Sequence, residues 1–377
     1  MNNNINYENK PSLHLIGIFH TIHNQRFSHC AFTGKALRFP KMMRWYNYYS
    51  YEYSNGESQS EANEKIQLLS EEELNKSIDI QNKTAFVGNN AVIGSEHWIK
   101  FNAKLISELK KRVKKNDIIC HPFGKAHANI LMLFPEQQHV ETGIGYNDDD
   151  FGAFRIFESY CWLHYHQGKE KRQGKDYEWV VPNYYDLNDW TPNYKKGKYL
   201  LFMGRIDACK GMNDLRALVD YIDEPIHIYG QGDITPWKHE KLIYKGVLCG
   251  SERDKIVGEA KAIIMFSRFI EPFAGSTVEA MLTGTPVICV DYGAYTETVE
   301  QGKTGYRIHT LGDMIEAIKR IDSLDRKYIA DRARRLYSLE TCGARYNKIF
   351  QQISELISGE KKGWYSLTHY LDKPYDR

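Results

Sequence analysis

Five short runs in the second half of the chain are apolar almost throughout: YLLFMG (199–204), PIHIYG (225–230), LIYKG (242–246), AIIMFS (262–267) and PVICVD (286–291), with segments of helical spacing between them. A strand that is apolar on both faces must be covered on both faces, and helices crossing over a parallel sheet supply that cover. The first half alternates in the same way. Strand-like runs at LHLIGIFHT (13–21), WYNYYSYEY (45–53), DIICH (117–121), HVETG (139–143) and WVVP (179–182) flank helical patterns over 95–117 and 150–168. In the helical pattern of 95–117, Trp98, Phe101, Leu105 and Leu109 fall on one face, with a basic end that suits the helix dipole.

A chain of 377 residues exceeds one ordinary core. The alternation therefore predicts an α/β protein with two Rossmann-like parallel-sheet domains facing across a cleft. We place the first domain at 1–185 and the second at 186–355. A C-terminal segment, 356–377, is expected to pack back on the first domain. The connection falls in NYYDLNDWTPNYKKGK (183–198), rich in Asn, Asp, Pro and Gly.

Fifty basic against 48 acidic residues leave a formal charge of +2, so no global field argues for nucleic acid or a membrane surface as partner. Aromatic residues reach 13%, including 26 Tyr, a composition suited to carbohydrate or nucleotide contacts. The seven cysteines (30, 120, 161, 209, 249, 289 and 342) contain no C-x-x-C pair and point to neither a disulfide framework nor a zinc site. No window approaches the ~18 apolar residues of a membrane span. The first residues lack the pattern of a signal peptide. The expectation is a soluble, cytoplasmic protein.

In parallel α/β sheets ligands bind beyond the carboxyl ends of the strands. MGRIDACKG (203–211) ends a strand with Gly204 and then presents Arg205 and Lys210, two cations able to hold a diphosphate or to sit solvated on a turn. EPFAGSTVEAMLTGTPVI (271–288) follows the strand AIIMFS. Ser276 and Glu279 match the S-x-x-E capping box, which would occupy Glu279 with a backbone N–H. Glu271 lies outside that helix and is left unexplained by it. Gly275 allows close backbone approach, and Ser276 to Val278 would offer free N–H groups to a phosphate. TGKA (33–36) is not a Walker loop, ETGIGY (141–146) is no dinucleotide fingerprint, and NDDD (147–150) reads as an acidic loop or a carboxylate cluster. His20 and His121 end strands and are candidates for the cleft.

Taken in order, VVPNYYD (180–186), LLFMGRIDACKG (200–211), IHIYGQGD (226–233), EPFAGSTVEAMLTGTPVI (271–288) and ETVEQGKTGY (297–306) resemble the retaining GT-B glycosyltransferases of family 4, the glycosyl transferases group 1. The resemblance covers roughly residues 180–355. It implies that Arg205 and Lys210 hold the donor diphosphate and that Glu271, first of the E-x7-E pair, faces the donor sugar. It further implies that Glu279 bonds the ribose and that the loop at Phe273, Ala274, Gly275, Ser276 and Thr277 meets sugar and phosphate. Gly204, Gly246 and Val247 then line the nucleotide. The first half departs from the family: HVETGIG offers Glu141 and Thr142 where a histidine is usual, and TIHNQRFSHCAFTGKA replaces a glycine-rich loop. His20, His121, Glu141 and Thr142 are carried as acceptor or sugar contacts. The implied activity is metal-independent transfer from a UDP- or GDP-sugar, with no cofactor, to a glycan or glycoprotein acceptor. A weakened nucleotide-sugar binding protein and a UDP-sugar epimerase are the alternatives.

Overall fold

The computed structural model describes residues 10–78, 91–147, 152–248, 250 and 252–358. Two all-parallel sheets organise them. The first sheet has seven strands in the order β3-β2-β1-β4-β5-β6-β7. They are β1 (Leu13–Ile16), β2 (Ser50–Ser54), β3 (Glu64–Gln67), β4 (Ile118–His121), β5 (Gln138–Ile144), β6 (Phe154–Phe157) and β7 (Glu178–Val180). The helices of this half are α1 (Ala31–Arg44), α2 (Glu71–Asn75), α3 (Glu96–Arg112), α4 (Asn129–Leu133) and α5 (Tyr160–Lys169).

The second sheet has six strands in the order β10-β9-β8-β11-β12-β13. They are β8 (Leu200–Met203), β9 (Ile226–Tyr229), β10 (Leu242–Tyr244), β11 (Ala262–Met265), β12 (Val287–Val290) and β13 (Gly305–Ile308). Its helices are α6 (Met212–Leu218), α7 (Glu252–Gly258), α8 (Gly275–Leu282), α9 (Tyr295–Thr298), α10 (Leu311–Arg320) and α11 (Arg326–Tyr337), followed by α12 (Leu339–Ser358). In both sheets the order reverses at the middle, between β1 and β4 and between β8 and β11. Each reversal opens a crevice at the carboxyl ends of its two strands.

The apolar runs of the second half do what their composition requires: β8, β11 and β12 are buried at every position. Their side chains join α6, α8 and α11 in one core that includes Phe202, Leu215, Ile264, Val278 and Ile329. The first sheet is packed on both faces, by a cluster around Met42, Ile118 and Phe350 and by another around Phe19, Phe101 and Ile119.

Three strands escaped the reading of the sequence. β3 carries Glu64, Lys65 and Gln67 on the sheet edge and has no apolar run. β6 lies inside the stretch read as one helix over 150–168; only Tyr160–Lys169 of it is helical. Its Arg155 is fully buried and bridges Glu141 on β5 (3.2 Å) and Glu178 on β7 (3.1 Å), so a charge sits where a strand core is expected. β13, GYRI, is the third.

The chain passes between the two halves at two adjacent places. Tyr185 N–H donates to Tyr337 O (2.8 Å) and Leu339 N–H donates to Tyr185 O (3.1 Å), so both crossings are stitched together. The chain rejoins the first half earlier than the boundary at 355: Leu339, Cys342, Tyr346, Ile349 and Phe350 of α12 belong to the core of the first sheet. Residues 359–377 and the cluster Asp148–Asp150 lie outside the described residues.

Candidate functional site

The site is assembled from the ends of β8 and β11, the two strands at the reversal of the second sheet. After β8 the chain runs through Gly204 and Arg205 to a short turn at Ala208–Lys210, which Asp207 caps by accepting from Cys209 N–H (2.8 Å). Gly211 closes that turn in the left-handed region (φ 89°), and a Cβ there would meet Phe266 O at 2.4 Å. This close approach brings the β8 turn against the end of β11. As a result Lys210 Nζ lies 2.6 Å from Glu271 Oε1, sixty-one residues away in sequence, and also covers the Phe269 ring at 4.2 Å.

Glu271 is 6% exposed. Ser267, two residues beyond the end of β11, donates its hydroxyl to Glu271 Oε1, and the Tyr295 hydroxyl lies 3.3 Å from the same serine oxygen. Burial, and then the Glu271 carboxylate, push the Tyr295 phenol well above its ordinary range, so it stays a proton donor. Glu271 O also accepts from Ala294 N–H (3.1 Å), which ties the loop to the end of β12. Glu271 is therefore held at both its backbone and its side chain.

The next residues turn into α8 through Ala274, whose φ of 62° and ψ of 54° place a non-glycine residue in the left-handed region. The helix begins at Gly275, so Ser276 is already inside it and does not cap it. The capping box expected of Ser276 and Glu279 is absent: the Ser276 hydroxyl points to Met265 Sδ (3.8 Å), and Glu279 pairs with Arg253 of α7. Thr277 bonds back to Ala274 O through its hydroxyl (2.7 Å) and its N–H (3.0 Å), while Phe273 is buried edge-to-face on Tyr337.

Gly246 follows β10, and its carbonyl accepts from Gly230 N–H (2.9 Å). Gly230 in turn packs so tightly on Gly204 that a Cβ would meet Gly204 O at 1.7 Å. The ends of β8, β9 and β10 thus form one surface carrying Gly204, Gly246 and half-buried Val247. Arg205, also half-buried, stands at its edge, close enough to Asp207 to help hold that carboxyl below its usual range, behind the hydrogen bonds from Cys209.

The residues expected on the first domain are placed differently from one another. His20 follows β1 at the reversal of the first sheet. It is 2% exposed, with its Nδ1 lacking a hydrogen-bond partner among the described residues. Burial, then His97, lower its pKa to about 3. His121 Nε2 turns to His139 Nδ1 (2.9 Å) inside the sheet. Glu141 is fully buried and takes up Tyr146 Oη (2.8 Å), Gly152 N–H (3.3 Å) and Arg155. Thr142 lines a cavity of about 20 Å³ with Lys35, His23 and Glu52. Of these four, only His20 lies beyond a strand end at the crevice.

Sequence reasoning missed Ser267, Tyr295 and Arg253. Ser267 had a signal, as the polar residue closing an otherwise apolar strand. The other two act across sequence distances that spacing does not encode. Among the described residues no group of three or more His, Cys, Asp or Glu side chains is placed to hold a metal ion.

Known proteins share this architecture. A glycosyltransferase involved in avilamycin A biosynthesis superposes with a TM-score of 0.67 at 15% identity, covering 93% of this chain and 99% of that one. Sucrose-phosphate synthase from Thermosynechococcus elongatus also gives 0.67, at 14% identity over 91% and 99% of the two chains. The fold is GT-B. Anabaena HepE, solved with UDP and glucose, superposes with a TM-score of 0.62 at 14% identity, over 92% of this chain and all of that one. In sequence, the family described as Glycosyl transferases group 1 matches residues 197–323, which is the second sheet and its site. Phosphatidyl-myo-inositol mannosyltransferase of Mycobacterium leprae is 27% identical over 186 residues, 44% of this chain. Spore coat protein SA of Bacillus subtilis is 26% identical over 147 residues, 34% of this chain. The matched stretches span 49% and 39% of those two proteins.

Proposed function

We propose that this protein is a retaining glycosyltransferase of family 4 that moves a sugar from a nucleoside-diphosphate donor to an acceptor hydroxyl. The observation that carries the reading is the meeting of Lys210 and Glu271 at the start of α8, where the crevice of the second sheet opens. Support comes from the match of the group 1 glycosyl transferases to that half of the chain and from the UDP complex of HepE.

In this reading the diphosphate lies at the N-terminus of α8, against the N–H groups of Gly275 and Ser276, with Lys210 and Arg205 beside it. Cleavage of the sugar–phosphate bond leaves positive charge on the sugar ring and negative charge on the diphosphate. Lys210 moves from Glu271 to the phosphate when the donor enters, and the two cations and the helix terminus absorb the leaving charge without a metal. Glu271, locked by Ser267, orients the donor sugar. Glu279 and Arg253 address the ribose, and Gly246 and Val247 the base. Among the described residues of the loop Glu271 is the carboxylate assigned to the sugar and Glu279 is assigned to the ribose, which favours same-face transfer with retention over a two-carboxylate route.

The test is turnover of UDP-, GDP- and ADP-sugars, with and without chelator, with the anomeric product followed by proton NMR. Release of a retained product that persists in chelator is the expected result. Inverted product or complete loss in chelator would contradict the retaining, metal-free mechanism.

A further inference from the structure

The reversal of the first sheet faces the site with aromatic side chains. His20 follows β1 and Phe123 follows β4, and their rings lie 5.2 Å apart across the crevice between those strands. Phe32, in the first turn of α1, meets Phe123 edge-on at 5.2 Å and approaches the Tyr146 ring at 6.4 Å. Phe32, Phe123 and Tyr146 are only partly buried. Partly buried aromatic rings packed against one another at strand ends form a surface rather than a core.

Two contacts tie this surface to the Glu271–Gly275 loop. On one side Ser159, which caps α5, donates to Pro272 O (2.6 Å), and Trp162 of α5 donates to Tyr146 O (3.2 Å). On the other, Arg38, further along the helix that carries Phe32, stacks over Tyr185 (4.8 Å), whose hydroxyl donates to Gly275 O (3.2 Å). The aromatic surface is bracketed by the elements that hold the donor loop.

The lysine beneath it is neutralised. Lys35, beneath the Phe32 ring at 4.6 Å, is paired with Glu158 and donates to Gly143 O (2.7 Å). That pair offers no excess positive charge to a phosphate or carboxylate. The His20 ring backs Phe123, with its Nδ1 buried and without a hydrogen-bond partner among the described residues.

We propose that Phe32, Phe123 and Tyr146 form the acceptor platform and that it takes an uncharged pyranose ring, stacked by its apolar face. This deepens the glycosyltransferase reading and rests on it for the direction of transfer. The ring chemistry alone is tested by binding.

Saturation-transfer NMR with methyl α- and β-pyranosides of glucose, galactose and mannose reads the platform directly, with and without UDP. UDP affinity is measured in parallel as the check that each variant is folded and that the donor reading stands. At least one glycoside is expected to bind the native chain. Phe32→Ala and Phe123→Ala should each weaken it tenfold or more at unchanged UDP affinity, and Phe32→Tyr should restore it. The platform is overturned if no glycoside binds, or if both alanine variants bind glycoside as the native chain does. It is also overturned if an anionic sugar phosphate is preferred over the glycosides. Loss of UDP binding in the native chain would instead strike the donor reading.

Discussion

Lys210 and Glu271 are largely buried, with 14% and 8% of their side chains exposed, and each is the other's counter-charge. A buried charge stripped of its partner is strongly unfavourable, so a ligand that draws Lys210 away must leave Glu271 otherwise satisfied. Ser267 does that by bonding the same carboxylate. Glu271→Gln keeps the size of the side chain and loses its charge. We expect turnover to fall about a hundredfold or more, the scale of removing one preorganised group from a charge-developing site, with UDP affinity within a few-fold of native. Steady-state kinetics with a UDP titration separates the two. Arg253 and Glu279 form a second pair, and a group so oriented loses its grip when either member goes. Arg253→Ala and Glu279→Ala should each weaken UDP binding by about tenfold, near 1.4 kcal/mol. The double variant should be no worse than the single ones, because the two act as one unit. Additive losses would show that they act independently.

The turn before α8 was legible from Pro272 and Gly275, but its backbone conformation was not. Position 274 adopts the left-handed conformation and yet carries alanine, at a cost of roughly 1–2 kcal/mol. Ala274→Gly should raise stability by about 1 kcal/mol in chemical denaturation; Ala274→Val should lower it and reduce turnover. The helix starts two residues earlier than a cap at Ser276 requires, and Glu279, no longer at the third helical position, pairs with Arg253. The buried strands β8, β11 and β12 were readable because nothing but apolar contact determines them. β6 was not, because its centre is Arg155, satisfied by carboxylates from the strands on either side. Pattern rules register a charge as exposed, whereas here partners distant in sequence make burial tolerable. Arg155→Met leaves Glu141 and Glu178 without that cation, and a loss of about 3–5 kcal/mol is expected, measured by urea unfolding. Native-like stability would mean that the bridge contributes nothing.

At the scale of the molecule, the doubly wound order of both sheets and the two stitched crossings at Tyr185 and Leu339 set the cleft. The alternation of runs and helices forecast two parallel sheets. It did not show that α12 returns to the first sheet, because helical spacing within a segment does not say which sheet the helix will cover. The first half also buries histidines: burial lowers His20 and His127 to about 3, and His121 falls well below its ordinary value. Such groups bind protons in the unfolded chain more readily than in the folded one. Stability is therefore full above about pH 6.5 and falls as the pH drops toward 3, by about 1.4 kcal/mol per pH unit for each histidine. Thermal unfolding at pH 8 and pH 5 should show the loss, and His127→Gln should reduce it. The central claim is that the start of α8, with Lys210 beside it, is a nucleoside-diphosphate site, and calorimetric titration of the native chain and of Lys210→Ala with UDP, GDP and ADP tests it most directly. One of the three should bind the native chain at a single site and bind Lys210→Ala at least tenfold more weakly; equal affinity in the two proteins, or no binding of any of the three, would contradict it.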